Sequence, residues 1–217
     1  MVVLVSGRGT NLEALLAAHA RGDLPVEFRA VISNRPGAHA LERARAHAID
    51  TAVIDHAAYP DRASFDADLA ACIDRYAPGL VIMAGFMRIL TDAFIARYGD
   101  RMMNIHPSLL PDFRGLHTHR RALEAGVARH GATVHFVTAE LDGGPAILQA
   151  SVAVAPDDDA ERLAARVLER EHRIFPLAVR WFAQGRLTFD GVTARLDGRP
   201  LTAPVVDPPE LEHEPAL

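Results

Sequence analysis

A chain of 217 residues with 49% hydrophobic and 24% charged side chains has the size and composition of a globular protein with an ample core. Its formal net charge of −5 argues against a nucleic-acid binder, which calls for a basic surface. No apolar run approaches the roughly 20 residues that span a bilayer, and the lone Cys72 excludes an internal disulfide and argues against a cysteine-based metal site. The N-terminus has no basic segment ahead of its apolar run, so the expected compartment is the cytoplasm.

Met1 to Val5 is a short continuous apolar run, predicted as the first strand. It breaks at Ser6-Gly7-Arg8-Gly9-Thr10-Asn11, after which Leu12, Leu15 and Leu16 fall at helical spacing. A second strand is predicted over Phe28 to Ile32, then a helix carrying Leu41, Ala44 and Ala48, and a third strand over Thr51 to Ile54. A helix from Arg62 to Tyr76 leads to a fourth strand, Leu80 to Met83. Strand–helix alternation with strands apolar on both faces predicts a Rossmann-like, doubly wound, mostly parallel sheet with helices on both faces. Ligands of such sheets sit outside the carboxyl ends of the strands.

The Gly7–Asn11 turn lies at one of those ends. Its glycines allow close approach to an anion, and the following helix offers free N–H groups. Leu12 stands where a dinucleotide fingerprint has its third glycine, so a single phosphate fits better than a dinucleotide. A plain connector capped by Thr10 or Asn11 is the other reading.

A helix over Thr91 to Tyr98 precedes Asn104-Ile105-His106-Pro107-Ser108-Leu109-Leu110-Pro111, the end of an apolar strand leaving the sheet as a proline-bracketed loop. Period-two geometry points Asn104 and His106 to one face. An amide donor beside a titratable ring suits a reaction that develops an oxyanion and moves a proton. The same pair also suits ordinary turn hydrogen bonding. His117 and His119 follow in a polar loop entering a helix near Arg120, open between substrate contact and solvation. No acidic or cysteine partner stands at ligand spacing, so no metal is expected.

Gly131 to Val137 and Ala146 to Val154 are predicted strands joined by Thr138-Ala139-Glu140-Leu141-Asp142-Gly143-Gly144-Pro145. By pattern that is a hairpin connector; Asp142 gains interest as a carboxylate able to orient His106. Asp157-Asp158-Asp159 caps a long helix with Leu163, Val167, Leu168 and Ile174 on its buried face. Pro176 is expected to kink or interrupt that helix, and Glu171 and His172 read as solvated surface. Leu187–Phe189 and Val192–Leu196 predict a small C-terminal hairpin, and residues 202–217 a disordered tail. Residues 1–201 are expected to form a single domain, with Leu110–Pro111 a candidate cis peptide.

Five stretches in order, Ser6-Gly-x-Gly-x-Asn11-Leu12, Ala84-Gly-Phe-Met-Arg-Ile-Leu90, Asn104 to Pro111, Gly115-Leu-His-Thr-His119 and Glu140-Leu-Asp-Gly-Gly-Pro145, resemble the phosphoribosylglycinamide formyltransferases, folate-dependent enzymes of purine biosynthesis. The resemblance implies formyl transfer from 10-formyltetrahydrofolate, as co-substrate, to the amine of glycinamide ribonucleotide. It implies that Asn104 and His106 stabilise the oxyanion while Asp142 orients His106 and assists proton transfer. Residues 1–100 would form the ribonucleotide phosphate-binding half, with Gly9, Thr10, Asn11 and Arg62 at the phosphate and Glu171 at the amine end. Residues 101–201 would form the catalytic and folate-binding half. Met87, Arg88, Ile89, Leu90, Ala139, Glu140 and Leu141 match the folate pocket, with Thr133, His117 and His119 in support. The implied partners are small molecules only, with neither nucleic acid nor membrane, and the chain a monomer or homodimer. Arg8 and Arg114 depart from the family pattern, as does a first strand beginning almost at residue 1. The alternatives are another formyl-tetrahydrofolate enzyme, a deformylase above all, or a Rossmann-type nucleotide-binding protein.

Overall fold

The computed structural model describes residues 1–209. Its elements are β1 (Val2–Val5), α1 (Thr10–Ala20), β2 (Ala30–Ser33), α2 (His39–Ala46), β3 (Thr51–Val53), α3 (Arg62–Asp74), β4 (Val81–Met83), α4 (Asp92–Tyr98) and β5 (Met102–His106), followed by α5 (Thr118–Glu124), β6 (Arg129–Phe136), β7 (Ala146–Ala153), α6 (Ala160–Ala183), β8 (Leu187–Phe189), β9 (Ala194–Leu196), β10 (Arg199–Pro200) and β11 (Val205–Val206). Among the described residues one sheet runs in the order β11-β7-β6-β5-β4-β1-β2-β3. β1 to β5 are mutually parallel; β6 is antiparallel to both β5 and β7. The mostly parallel sheet and its two helical layers match the sequence expectation.

Period two divides the strands between those layers. Val3 and Val5 join a core packed by α1 and α6, while Val2 and Leu4 join one packed by α3 and α4. On β5, Met103 and Ile105 face the first core, and Asn104 and His106 share the face of Met102 toward the second. Burying each such aliphatic side chain contributes about 1.5–3 kcal/mol.

Three expectations change. Helix α6 runs on through Pro176, which is buried with Phe175, Leu177 and Ala178, so packing on both sides holds the turn that the missing N–H weakens. The C-terminal hairpin of β8 and β9 gains β10 as a third strand. Part of the expected disordered tail is in the sheet: Val205 and Val206 pair in parallel with Leu148 and Gln149. Asp207 locks them there, accepting from Ser151 N at 3.1 Å and Ser151 Oγ at 2.7 Å. Residues 210–217 of that tail lie outside the described residues. No helix among the described residues is long and apolar enough to cross a membrane.

Candidate active site

The carboxyl ends of β1, β4 and β5 converge on one edge of the sheet. At β1, Gly9 caps α1 with φ +76°, and an added Cβ there would lie 2.6 Å from Ala40 Cβ. Glycine is therefore required, and Thr10 and Asn11 open the helix with N–H groups facing outward. Asn11 is buried; its Nδ2 donates to Glu171 Oε2 at 2.7 Å, and its Oδ1 has no partner. Glu171, read from pattern as solvated, is buried between α1 and α6, and desolvation raises its carboxyl to about 7 despite the opposing bond from Asn11.

At β5, Asn104 and His106 do share a face. His106 Nδ1 lies 3.5 Å from Asp142 Oδ2, with both side chains more than nine-tenths buried. Its other nitrogen, Nε2, is 3.0 Å from the Phe113 carbonyl, which can only accept, so Nε2 carries a hydrogen and Nδ1 faces the site. Asp142 reaches this position from a left-handed backbone, φ 49°, and its Oδ2 accepts from Gly115 N at 2.8 Å. The adjoining Gly144 passes so close to β6 that a Cβ would meet the Phe136 carbonyl at 1.9 Å. The acid-Gly-Gly-Pro loop is thus more than a connector: it folds its carboxylate back over β5.

His135, absent from the expected site residues, completes the cluster. It pairs across the strands with Asn104 on β5, while the register of β6 with β7 shifts between Val134 and His135. Its Nε2 lies 3.1 Å from Asn104 Nδ2 and 3.8 Å from Asp142 Oδ1. Burial holds this ring below the usual histidine range, and so neutral. Period two along Gly131–Val137 could have put His135 on one face with Thr133, but the antiparallel register that brings it to Asn104 is not in the sequence.

A pocket lies beside this cluster, its lining including Arg88, Ile89, Leu90, Val137, Ala139, Glu140 and Leu141 as well as Asn104, His135 and Asp142. Met87 and Ile89 stand exposed nearby, with Leu116 and Leu141 exposed on the two facing loops. Arg114 and Glu140 form an ion pair between those loops. Leu110–Pro111 is cis. Thr133 holds that loop: its hydroxyl donates to Ser108 O at 2.6 Å and accepts from Leu110 N and Gln149 Nε2, each at 3.0 Å. His117 caps α5 and is exposed; His119 turns inward to meet the His130 ring edge-on at 5.2 Å. The two side chains therefore do not act as a pair.

Arg62, expected at the phosphate, lies on α3. It opens α3, exposed, and the next turn of that helix packs against the pocket segment. There Arg88 lies over the Phe65 ring at 5.4 Å, and Asp66 accepts from Thr91 N at 2.6 Å. Both halves of the chain thus contribute to both regions: Asn11 meets Glu171, and Arg88 to Leu90 face Ala139 to Asp142.

Sheet, cradle and amide–imidazole–carboxylate cluster define a formyltransferase-type α/β enzyme, and the family profile described as formyl transferase matches residues 1–179: the chain belongs to this family. Within it, the chain is similar to the phosphoribosylglycinamide formyltransferase of Escherichia coli (strain K12), 50% identical over 201 residues that cover 93% of this chain and 95% of that protein. A solved phosphoribosylglycinamide formyltransferase from Coxiella burnetii superposes with a TM-score of 0.91 at 48% identity, covering 95% of this chain and 98% of that one. A formyltetrahydrofolate deformylase from Pseudomonas syringae shares the fold with a TM-score of 0.82 at 26% identity, over 90% of this chain and 64% of that one.

Proposed function

We propose that this chain transfers the formyl group of 10-formyltetrahydrofolate to the amine of glycinamide ribonucleotide. The observation that carries the reading is the approach of Asp142 to His106, 3.5 Å, on the face that Asn104 shares. Attack by the amine on the formyl carbon places negative charge on the formyl oxygen and positive charge on the attacking nitrogen. An N–H of Asn104 and the Nδ1 side of His106 donate to that oxygen, each such contact contributing about 3 kcal/mol in the transition state. The carboxylate of Asp142 balances the imidazolium and, with ordered water, carries the proton from the attacking nitrogen toward the departing folate nitrogen. Neither a covalent enzyme intermediate nor a metal is needed.

Gly9, Thr10 and Asn11 cradle the phosphate, and Glu171 meets the amine end of the ribonucleotide. The apolar pocket between Met87–Leu90 and Ala139–Leu141 takes the pterin. Arg62 and Arg88, on packed neighbouring segments, are the cations for the glutamyl carboxylates, an assignment that moves Arg62 from the phosphate to the folate end. His117 and His119 support the loop that borders the site, and Thr133 supports the loop carrying Ser108 to Pro111. The compartment is the cytoplasm, the unit a monomer or homodimer.

The test is a steady-state assay with both substrates on the parent and on Asp142→Asn. The variant is expected to lose about 10²–10⁴-fold in kcat while its affinity for a folate analogue stays within about twofold. Folate release without ribonucleotide would make the chain a deformylase; tight NAD(P)H binding would make it a nucleotide-binding protein. Lost binding with unchanged single-turnover chemistry would reassign Asp142 to recognition.

A further inference from the structure

We propose that His135 is a positioning residue for the transfer, holding the carboxamide of Asn104 in the one orientation that aims an N–H into the pocket. The inference rests on the reading above that Asn104 donates to the formyl oxygen.

The geometry fixes both rings of the argument. His135 Nδ1 lies 2.9 Å from the Phe136 carbonyl, a group that only accepts, so Nδ1 carries the hydrogen. A neutral imidazole has one N–H, which leaves a lone pair on Nε2. Asn104 Nδ2, 3.1 Å away, must then donate to it, so the nitrogen end of the carboxamide is the end that faces His135. An amide nitrogen bears two hydrogens; the second remains for a ligand in the pocket that Asn104, His135 and Asp142 border. The alternative tautomer would undo this. A hydrogen on Nε2 would confront the Asn104 N–H and turn toward Asp142 Oδ1, 3.8 Å away, and the carboxamide would then present oxygen to His135. Burial and the bond to the Phe136 carbonyl keep the ring from reorienting. The side chain does not touch the reacting atoms; it acts through Asn104.

Two readouts test this. In ¹⁵N-histidine NMR of the parent, His135 is expected to show a protonated Nδ1 and a bare Nε2; the opposite tautomer overturns the proposal without any turnover measurement. In kinetics, His135→Asn keeps a donor near the Phe136 carbonyl but lacks the Nε2 acceptor. Its kcat is expected to fall about 30- to 100-fold, with KM for both substrates within about twofold, because one oxyanion donor is misaimed. His135→Gln, whose Oε1 can accept from Asn104, is expected to recover about tenfold of that loss. In an Asn104→Ala background, His135→Asn is expected to cost no more than about a further twofold, the non-additivity of residues acting as one unit. Full kcat in His135→Asn, multiplicative losses in the double variant, or losses in both single variants that track a fall in Tm would each overturn it. Unimpaired turnover in Asn104→Ala would instead remove the parent reading, and this inference with it.

Discussion

Glu171→Gln separates what the buried carboxyl does for stability from what it does for the substrate. Burial raises the group from an ordinary value of 4.5 to about 7, with the Asn11 hydrogen bond only partly opposing. The folded state therefore retains a proton that the unfolded chain releases between those values. Stability from this group is fully present below pH 4.5 and is lost as pH rises through about 7, a loss of about 3 kcal/mol at most. Glutamine keeps an oxygen to accept from Asn11 Nδ2 and has nothing to ionise. The variant should match the parent near pH 4.5 and be more stable by up to about 3 kcal/mol at pH 8. For a chain of this size that is a Tm higher by about 6–12 °C. The measurement is a pair of thermal-unfolding series from pH 4.5 to 8, read as the difference between the two proteins so that every other titration cancels. A Tm gap independent of pH, or one that widens toward acid, would refute the reasoning. In the same variant KM for the ribonucleotide should rise, since the charge that destabilises the free protein is the one offered to the ligand's amine end.

Three further perturbations follow from particular contacts. Gly9→Ala drives a Cβ to 2.8 Å from the Ala40 Cα at φ +76°; the ribonucleotide KM should rise at least about tenfold while the folate KM holds, and equal changes in both would count against a cradle at Gly9. Thr133→Val strips the hydroxyl that serves Ser108, Leu110 and Gln149; urea unfolding should show a loss of about 2–4 kcal/mol, and a loss under about 1 kcal/mol would mean the loop finds other partners. Burial, with His119 beside it, lowers His130 to about 4, so folding is opposed as pH falls from about 6.5 to 4 by at most about 3 kcal/mol. His130→Phe, which keeps an aromatic ring against Phe113 and His119, should therefore resist acid unfolding better than the parent over that window and match it above pH 7, as circular dichroism against pH would record.

The continuous apolar runs Val2–Val5 and Val81–Met83 made the parallel sheet legible, because a strand covered on both faces needs no alternation. Asn104 and His106 were legible because two residues on one strand face need only local geometry. The rest depends on contacts that local pattern does not encode. Glu171 sits on a helix at a position that reads as surface, and only the packing of α1 on α6 buries it. For Arg62 the start of a helix was legible, but not the segment that the helix's next turn meets. Asp142 reaches His106 through a left-handed backbone, and His135 reaches Asn104 through the antiparallel register of β6 on β5, both invisible to periodicity. Val205–Val206 is too short, and too proline-flanked, to announce itself as a strand; Asp207 anchors it by tertiary bonds alone.

The position of the cluster follows from a change of direction in the sheet. Up to β5 every strand delivers its carboxyl end to the same edge, so the helix cradle at β1 and the pair on β5 lie there together. β6 then runs back, which sets residues from within a strand, Thr133 and His135, opposite the last turns of β5. A further parallel strand would have offered its loop instead and left Asn104 without a rigid acceptor. In the order β5-β4-β1 the cradle and the pair are two strand spacings apart, about 10 Å. On the proposed reading a ribose with its substituents would span that gap, its phosphate at one end and its reacting amine at the other. The two regions are also joined chemically: Ser6 Oγ donates to Asn34 Oδ1 at 2.6 Å and accepts from Met87 N at 2.8 Å, so the end of β1 and the start of the Met87–Leu90 segment share one hydroxyl. Spacing between the Gly9 turn and the pocket is thereby set by the sheet and one buried side chain rather than by the loops around them.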